Sequence, residues 1–286
     1  MGGRFLGRGG VESFIDASDG LRLFFRLWEA EENKGLVVIL HGFSEHGGRY
    51  LWLVDQLLRA GWTVVAMDCR GHGQSGGRRA HVDSFDEYVN DLRSLLDELG
   101  AQGLKERPFL LGHSMGGLIA TRYAQEKGDE LAGLILSSPF FGENAGLGGV
   151  RQMTLRWTAR LLPSMSLRLR YNPVHLTHDR EVIEQYLADP LVSNTCTLRW
   201  LAEIRQAQQR AMDASDRVLL PMLLLTGTDD RVVSGEVNQQ FFRQAATPDK
   251  LQNAYEGYYH EIFNEVGKSR ALHDLVTWLE QHRPLH

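Results

Sequence analysis

The feature that most constrains this chain is the abrupt change of pattern at Ser114, where a strand-like apolar run meets a glycine-rich turn. Residues 109–111 are the short, bulky run expected of a buried strand, and residues 118–124 begin a helical pattern. So tight a reversal crowds the backbone, and Gly112 and Gly116 stand where a side chain would collide with it. The pattern predicts a nucleophile elbow that holds Ser114 on a sharp corner. Because the motif is short enough to occur by chance, an ordinary glycine turn is the alternative.

Strand-like and helix-like segments alternate along the rest of the chain. A hairpin is predicted around Asp19-Gly20, because this dipeptide between strand-like runs is a strong turn signal. Further strands are expected near residues 35–40, 62–67, 131–136, 221–226 and 251–255, and helices near residues 51–58, 85–99, 237–242 and 272–279. This alternation predicts an α/β fold, with a mostly parallel sheet flanked by helices on both faces and the antiparallel hairpin at one edge.

One interval breaks the alternation. Residues 140–218 separate two predicted strands, whereas a crossover with its helix needs only about a dozen residues. Apolar residues recur at helical spacing in this interval: Met153, Trp157 and Leu161, then Val182 and Tyr186, then Leu198, Leu201 and Ile204. We therefore expect a core of residues 1–139 and 219–286. Residues 140–218 are expected to form an inserted, mainly helical cap, or lid, over the strand ends, where open α/β sheets bind ligands.

The predicted cap contains a basic and apolar stretch. Residues 145–177 include no Asp or Glu, and their five arginines are Arg151, Arg156, Arg160, Arg168 and Arg170. The apolar side chains between them are Met153, Leu155, Trp157, Leu161, Leu162, Met165 and Leu167. Two interpretations stay open. The stretch contacts an anionic lipid surface or an amphiphilic substrate, or it is a solvated cationic face over an ordinary hydrophobic interior.

Composition argues against several classes of protein. The net charge is -5 over 286 residues, without the basic excess that is typical of nucleic-acid binding. The longest apolar stretches are far too short for a membrane-spanning helix, and the first residues lack the apolar core of a signal peptide. We expect a cytoplasmic protein in which Cys69 and Cys196 are free thiols, with one bridge between them as the alternative. Transient contact of the cap with a membrane surface is compatible with that location. The sequence does not define an oligomeric state.

The predicted elbow requires two partners elsewhere in the chain. A serine hydroxyl is a weak nucleophile at neutral pH, so it needs a general base that is oriented by a carboxylate. In this architecture the acid and then the histidine follow the serine along the chain, each directly after a strand. Asp229 and Asp230 both follow the strand predicted at residues 221–226, and their spacing does not choose between them. His260 follows the strand predicted at residues 251–255 and is the expected base.

Several further motifs are spread over nearly the whole chain. They are His41-Gly42-x-x-Glu45-His46-x-Gly48-Arg49-Tyr50, Gly71-His72-Gly73-x-Ser75, Gly112-His113-Ser114-Met115-Gly116-Gly117, Asp189-Pro190-Leu191, Asp230-Arg231 and Tyr255-Glu256-Gly257-x-x-His260. Together they resemble the monoacylglycerol lipase and lysophospholipase branch of the α/β-hydrolases. The resemblance implies that Asp230 is the acid and that the amides of Phe43 and Met115 form the oxyanion hole. Since Phe43 follows a predicted strand, its amide can turn towards the elbow, while its ring can equally be pocket wall.

The same resemblance implies contacts with the substrate. Glu45 and Arg49 match residues that lie near the glycerol head group in the family, and an internal ion pair that fixes the loop is the alternative. Two positions depart from the mammalian lipases, because Phe263 replaces a polar histidine and Val233 replaces a cysteine. Phe263 stays an expected substrate contact, but without a polar bond to glycerol. A broader esterase preference is therefore an open alternative.

These residues predict a serine hydrolase that cleaves carboxylic esters of lipid-like substrates through an acyl-enzyme. Monoacylglycerol lipase activity, which releases fatty acid and glycerol, is the expected reaction, with lysophospholipase or broad carboxylesterase activity as alternatives. A homologue that binds a ligand without turnover is the alternative from another class. No cofactor, metal or nucleic-acid partner is expected. His41, Glu45 and His46 do not have the spacing of zinc motifs, and Gly42 argues against a helix there.

Overall fold

The apolar runs of the sequence form strands that are buried on both faces, as the inner strands of a parallel sheet must be. The computed structural model describes residues 5–6, 10–143, 157–169 and 172–283. Within these ranges, nine strands form one sheet in the order β1-β2-β3-β5-β4-β6-β7-β10-β11. They are β1 (Phe5–Leu6), β2 (Gly10–Asp16), β3 (Arg22–Trp28), β4 (Leu36–Leu40), β5 (Thr63–Met67), β6 (Phe109–His113), β7 (Gly133–Ser137), β10 (Met222–Gly227) and β11 (Lys250–Tyr255). The strands from β5 to β11 in that order pair in parallel, and β1, β2 and β3 pair antiparallel at one edge. The predicted fold class is confirmed.

Helices cover both faces of this sheet. They are α1 (Leu51–Arg59), α2 (Asp86–Ala101), α3 (Met115–Lys127), α4 (residues 157–161), α5 (Arg180–Ala188), α6 (Leu198–Asp213), α7 (Gly235–Gln244) and α8 (Lys268–Gln281). Alternate residues of β4 point to opposite faces, so Val38 packs with α2 and α3, whereas Val37 and Ile39 pack with α1 and α8. The two hydrophobic clusters leave the carboxyl ends of the parallel strands open at one rim.

Residues 140–218 contain α4, α5, α6 and a two-stranded antiparallel sheet of β8 (Ser166–Arg168) and β9 (Thr195–Thr197). Trp200 and Ile204 of α6 pack in the same hydrophobic cluster as α2 and α3, so this helix also shares the packing of the core. Residues 145–156, 170 and 171 of the predicted basic and apolar stretch lie outside the described residues, and they include Arg151, Met153, Leu155, Arg156 and Arg170.

Two expectations from composition concern the cysteines and membrane-spanning helices. Cys69 and Cys196 are both buried free thiols, so the prediction of unpaired cysteines is confirmed. Burial raises the pKa of both thiols above the ordinary value for cysteine. None of the helices in the described ranges has both the length and the hydrophobicity needed to span a bilayer.

Candidate active site

Ser114 stands on the predicted corner between β6 and α3. Its backbone φ is 52° and its ψ is -115°, a conformation that non-glycine residues seldom adopt. An added Cβ at Gly112 would overlap the carbonyl of Gly116, and one at Gly116 would overlap the carbonyl of Leu40. The glycines therefore allow α3 to start directly against the sheet. The Ser114 amide donates to Ser137 O over 3.0 Å, which ties the corner to the neighbouring strand.

Asp230 and His260 follow the ends of β10 and β11, which are adjacent parallel strands. His260 Nδ1 lies 2.8 Å from Asp230 Oδ2. Asp230 Oδ1 accepts from the amides of Val232 at 2.8 Å and Val233 at 3.0 Å, so the carboxylate is fixed by its own loop. Asp229 is exposed, and its Oδ1 is 3.1 Å from the Thr228 hydroxyl. Of the two candidate acids, the structure therefore pairs Asp230 with His260.

Asp230 and His260 shift each other's pKa. Burial alone would lower the pKa of His260, but the negative charge and hydrogen bond of Asp230 outweigh burial and hold this pKa above its ordinary value. Burial would raise the pKa of Asp230, but the charge and hydrogen bond of His260 hold that pKa below its ordinary value. The two pKa shifts are opposite in direction, and both favour the charged forms of the pair. Asp230 thus favours the protonated form of the imidazole, as a general base requires once it has accepted a proton.

Ser114 and His260 both line one cavity at the rim of the sheet. Since Asp230 Oδ2 accepts a hydrogen bond from the Nδ1–H group of His260, the Nε2 atom is left as the proton acceptor. Among the hydrogen bonds of the described residues, none joins Ser114 Oγ to this Nε2. In enzymes of this kind such bonds are often long before substrate binds. His113 packs against His260 with ring centroids 4.7 Å apart, and burial followed by the charge of His260 lowers the pKa of His113 to about 4.

The loop after β4 presents the backbone amide of Phe43 beside the cavity. His41 Nε2 accepts from the Cys69 amide at 2.9 Å, so His41 Nδ1 carries the proton and donates it to Gly42 O at 2.7 Å. The Gly42 amide donates to Glu45 Oε1 at 2.5 Å. Because the peptide is planar, fixing Gly42 O turns the Phe43 N–H to the opposite side. The family resemblance gave His41 no role in the site. Its position directly after a buried strand could have indicated that it orients the Phe43 amide.

The amides of Phe43 and Met115 are available for a ligand. Within the described residues, neither N–H has a recorded hydrogen-bond acceptor. Met115 is the first residue of α3, whose amino-terminal N–H groups have no partner in the helix. Phe43 lines the cavity, and its ring packs on Trp200 with centroids 4.6 Å apart. Phe43 and Ser114 therefore border the same space, and the Met115 amide directly follows Ser114 at the start of α3.

Glu45 and Arg49 belong to a buried ionic network. Arg49 Nη1 lies 2.7 Å from Glu45 Oε2, and both Arg49 terminal nitrogens bind the Glu261 carboxylate at 2.7 and 2.9 Å. Burial would raise the pKa of Glu45, but the charges of Arg49, His113 and His41 and the hydrogen bond from the Gly42 amide together lower this pKa to about 2. Glu45 and Glu261 line the cavity, whereas Arg49 lies behind them. The internal ion pair of the sequence alternatives is therefore present, and Glu261 is a member that the motifs did not indicate.

Phe263 and Val233, the two positions that depart from the mammalian lipases, have different surroundings. Phe263 is buried in the hydrophobic cluster of α1 and α8, and it is not among the described residues that line the cavity. The structure thus places this expected substrate contact in the core, because the turn after His260 directs it under the sheet. Val233 is buried too, but its neighbour Val232 lines the cavity.

The cavity has a volume of about 410 Å³ and an apolar wall on the side of residues 140–218. Members of that wall include Leu169, Leu176, Trp200, Leu201 and Ile204.

In the described ranges, no three His, Cys, Asp or Glu side chains are grouped so that they could hold a metal ion. His41 and His46 are engaged elsewhere, because His41 binds backbone groups and His46 Nε2 lies 2.8 Å from Asp189 Oδ2. The arrangement can place an uncharged, partly apolar molecule against Ser114.

Comparison with known proteins gives consistent similarities. Residues 31–267 match the family described as serine aminopeptidase, S33 (Hydrolase_4). The chain is 32% identical over 257 residues to phospholipase YtpA of Bacillus subtilis, which covers 89% of this chain and 98% of that protein. It is 32% identical over 271 residues to monoglyceride lipase of Rattus norvegicus, which covers 93% of this chain and 89% of that protein. The crystal structure of Paleococcus ferrophilus monoacylglycerol lipase has a TM-score of 0.84 and 32% identity, over 91% of this chain and 99% of that chain.

Proposed function

Since the chain belongs to the serine aminopeptidase, S33 (Hydrolase_4) family, we propose that it is a serine carboxylic-ester hydrolase whose substrates are monoacylglycerols. The observation that carries this proposal is the 2.8 Å bond between His260 and Asp230 beside a cavity that Ser114 also lines. The rat relative is named a monoglyceride lipase, which supports the substrate class. The Bacillus subtilis relative is named a phospholipase, which keeps lysophospholipids as a second candidate.

In the proposed mechanism, the Ser114 hydroxyl attacks the ester carbonyl carbon while His260 Nε2 takes its proton. The amides of Phe43 and Met115 bind the oxyanion of the tetrahedral intermediate, each for roughly 10²- to 10³-fold in rate. The intermediate collapses to the acyl-enzyme, and His260 returns the proton to the departing alcohol. Water then attacks the acyl-enzyme with the same base, which releases the fatty acid. Asp230 orients the imidazole and stabilises its charged form throughout.

We assign the two ends of the substrate to different parts of the cavity. The apolar wall that includes Leu201 and Ile204 accepts the acyl chain, since burying it there removes both surfaces from water. Glu45 and Glu261 border the cavity next to the elbow and accept hydrogen bonds from hydroxyl groups of the alcohol. Residues 140–218 act as the cap in this proposal, and residues 1–139 and 219–286 act as the core.

The test compares kcat/KM for a monoacylglycerol, the matched lysophosphatidylcholine and the p-nitrophenyl ester of the same acyl chain. We expect the monoacylglycerol to exceed the lysophospholipid by at least about tenfold, because Glu45 and Glu261 repel a phosphate and bind hydroxyl groups. Faster hydrolysis of the lysophospholipid would instead identify the activity as that of a lysophospholipase. Equal values for all three esters would indicate a broad carboxylesterase.

We also propose that the cap meets a lipid surface through exposed apolar residues. This cap face consists of Trp157, Leu161, Leu162, Met165 and Leu187, of which Leu161 is 76% exposed. Arg160 and Arg168 are exposed in the same part of the chain. Apolar side chains beside cations are the combination that binds anionic bilayers.

Vesicle sedimentation tests the cap face. We expect binding to phosphatidylglycerol-containing vesicles to exceed binding to phosphatidylcholine vesicles. The double variant Leu161→Glu/Leu162→Glu should bind the anionic vesicles at least about tenfold more weakly, since it loses apolar contact and adds repulsion. Leu219→Glu is the matched control, because Leu219 is also exposed, at 71%, but lies before β10 and away from the cap face. Equal binding by all three proteins would reject the lipid contact.

A further inference from the structure

A charged pair lies in the part of the cavity wall that α6 contributes. The residues that α6 contributes to the described lining are Trp200, Leu201, Ile204 and Arg205. Arg205 alone among these four carries a charge, and its Nη2 atom lies 2.5 Å from Glu143 Oε2. Glu143 is a lining residue too. The Arg205 side chain is 19% exposed and the Glu143 side chain is 33% exposed. An ion pair therefore occupies part of the α6 surface, whose other lining residues are apolar and suit an alkyl chain.

Both members of the Glu143–Arg205 pair are held in place by their backbone surroundings. Glu143 forms a β-bridge with Val233, and the Ser234 amide donates to Gly142 O at 2.9 Å. These contacts fasten Glu143 to the loop that also carries Asp230. On the other side, Gln208 Nε2 donates to Phe140 O at 3.0 Å, which fastens α6 to the segment after β7. The pair consequently has little freedom to swing out of the cavity.

An alkyl chain loses affinity where it must cover such a pair. Each further buried methylene normally improves affinity by about fourfold. A chain that extends over Arg205 and Glu143 instead removes water from two charges without offering a hydrogen bond, and this desolvation penalty exceeds the gain from several methylenes. The benefit of a longer acyl chain should therefore stop where the chain reaches the pair.

We propose that Arg205, held by Glu143, sets the acyl-chain length that the cavity accepts, so that the enzyme prefers short and medium acyl chains to long saturated ones. This inference rests on the proposed ester-hydrolase function and names the acyl group within that substrate class. Arg205 is thus a specificity-determining residue that takes no part in bond making or breaking. The charge pair, rather than the size of the cavity alone, defines the boundary.

The experiment measures the ratio of kcat/KM for p-nitrophenyl myristate to that for p-nitrophenyl butyrate. For the wild-type protein we expect a ratio below one. The double variant Glu143→Leu/Arg205→Leu should raise this ratio at least about tenfold, since the added wall is apolar. The exchanged variant Glu143→Arg/Arg205→Glu keeps a charge pair and should keep the wild-type ratio. If the leucine variant does not fold, Glu143→Gln/Arg205→Met removes both charges with less change of shape.

The matched control is a second ion pair of the same helix. Arg210 Nη1 lies 3.2 Å from Asp86 Oδ1, and neither residue is among the described residues that line the cavity. Asp86→Leu/Arg210→Leu should leave the ratio unchanged. A wild-type ratio above one, or the same ratio in the wild-type and leucine proteins, overturns the role of Arg205. The proposed function stands in that case if a fluorophosphonate still labels Ser114. If the wild-type protein shows neither labelling nor hydrolysis of any ester, both proposals are overturned.

Discussion

Replacing Ser114 by alanine is expected to lower kcat on p-nitrophenyl butyrate by about 10⁶-fold, as in other enzymes that lose the nucleophile of such a triad. The fold should survive, because alanine keeps the Cβ atom and the Ser114 amide still donates to Ser137 O. Two readouts check this result. The first is steady-state turnover, and the second is mass spectrometry after treatment with a fluorophosphonate, which should modify Ser114 in the wild-type protein and leave the variant unmodified.

Ser138 offers a matched control for the nucleophile. It is a buried serine with a φ of 44°, it follows the strand next to β6, and it is not among the described residues that line the cavity. Ser138→Ala should therefore keep turnover within a few-fold of the wild-type value. Retention of most activity by the Ser114 variant, or labelling at another residue, would reject Ser114 as the nucleophile. A wild-type protein that binds esters but is never labelled would instead indicate a ligand-binding homologue.

The neighbouring aspartates provide the second large effect. Asp230→Asn should lower kcat by about 10⁴-fold, because an amide no longer orients His260 or stabilises its charged form. Asp229→Asn should change kcat by less than about twofold, since Asp229 is exposed and its recorded side-chain partner is the Thr228 hydroxyl. Equal losses in the two variants would contradict the assignment of the acid.

The pH profile separates this role from a purely structural one. His260 must be neutral to act as a base, so kcat/KM falls as the pH decreases through the pKa of His260. Asp230 holds that pKa above its ordinary value, and removing the carboxylate charge should lower it. The acid limb of residual activity in Asp230→Asn should therefore move to lower pH. An acid limb that stays in place would show that the variant is damaged in some other way.

The fold and the elbow could be predicted because both depend on local pattern. Continuous apolar runs define the parallel strands, and a serine between glycines at the end of one run leaves few conformations for the chain. The family resemblance that the separated motifs predicted is confirmed by the match over residues 31–267. The position of His260 after β11 likewise follows from strand order alone.

Other parts of the site depend on contacts that spacing does not encode. Asp229 and Asp230 are equivalent in position along the chain, and only the loop geometry brings the Asp230 carboxylate to His260. Glu143 and Arg205 are distant in sequence, so their pairing depends on how α6 packs. Phe263 was expected at the substrate, yet the turn after His260 buries it with α1 and α8. In each case the missing information is how distant segments pack together in the tertiary structure.

The hydrogen bonds of His41 to Cys69 and Gly42 have a kinetic consequence. They join groups on the loops after β4 and β5, and the bond from the Gly42 amide to Glu45 lies within the first of these loops, so none uses a residue of the cap. These three bonds fix the peptide before the Phe43 amide without a contact from the cap, whereas the Phe43 ring packs on Trp200 of α6. An enzyme built this way needs no oil–water interface to become competent, and its rate on a dispersed ester should rise smoothly through the critical micelle concentration.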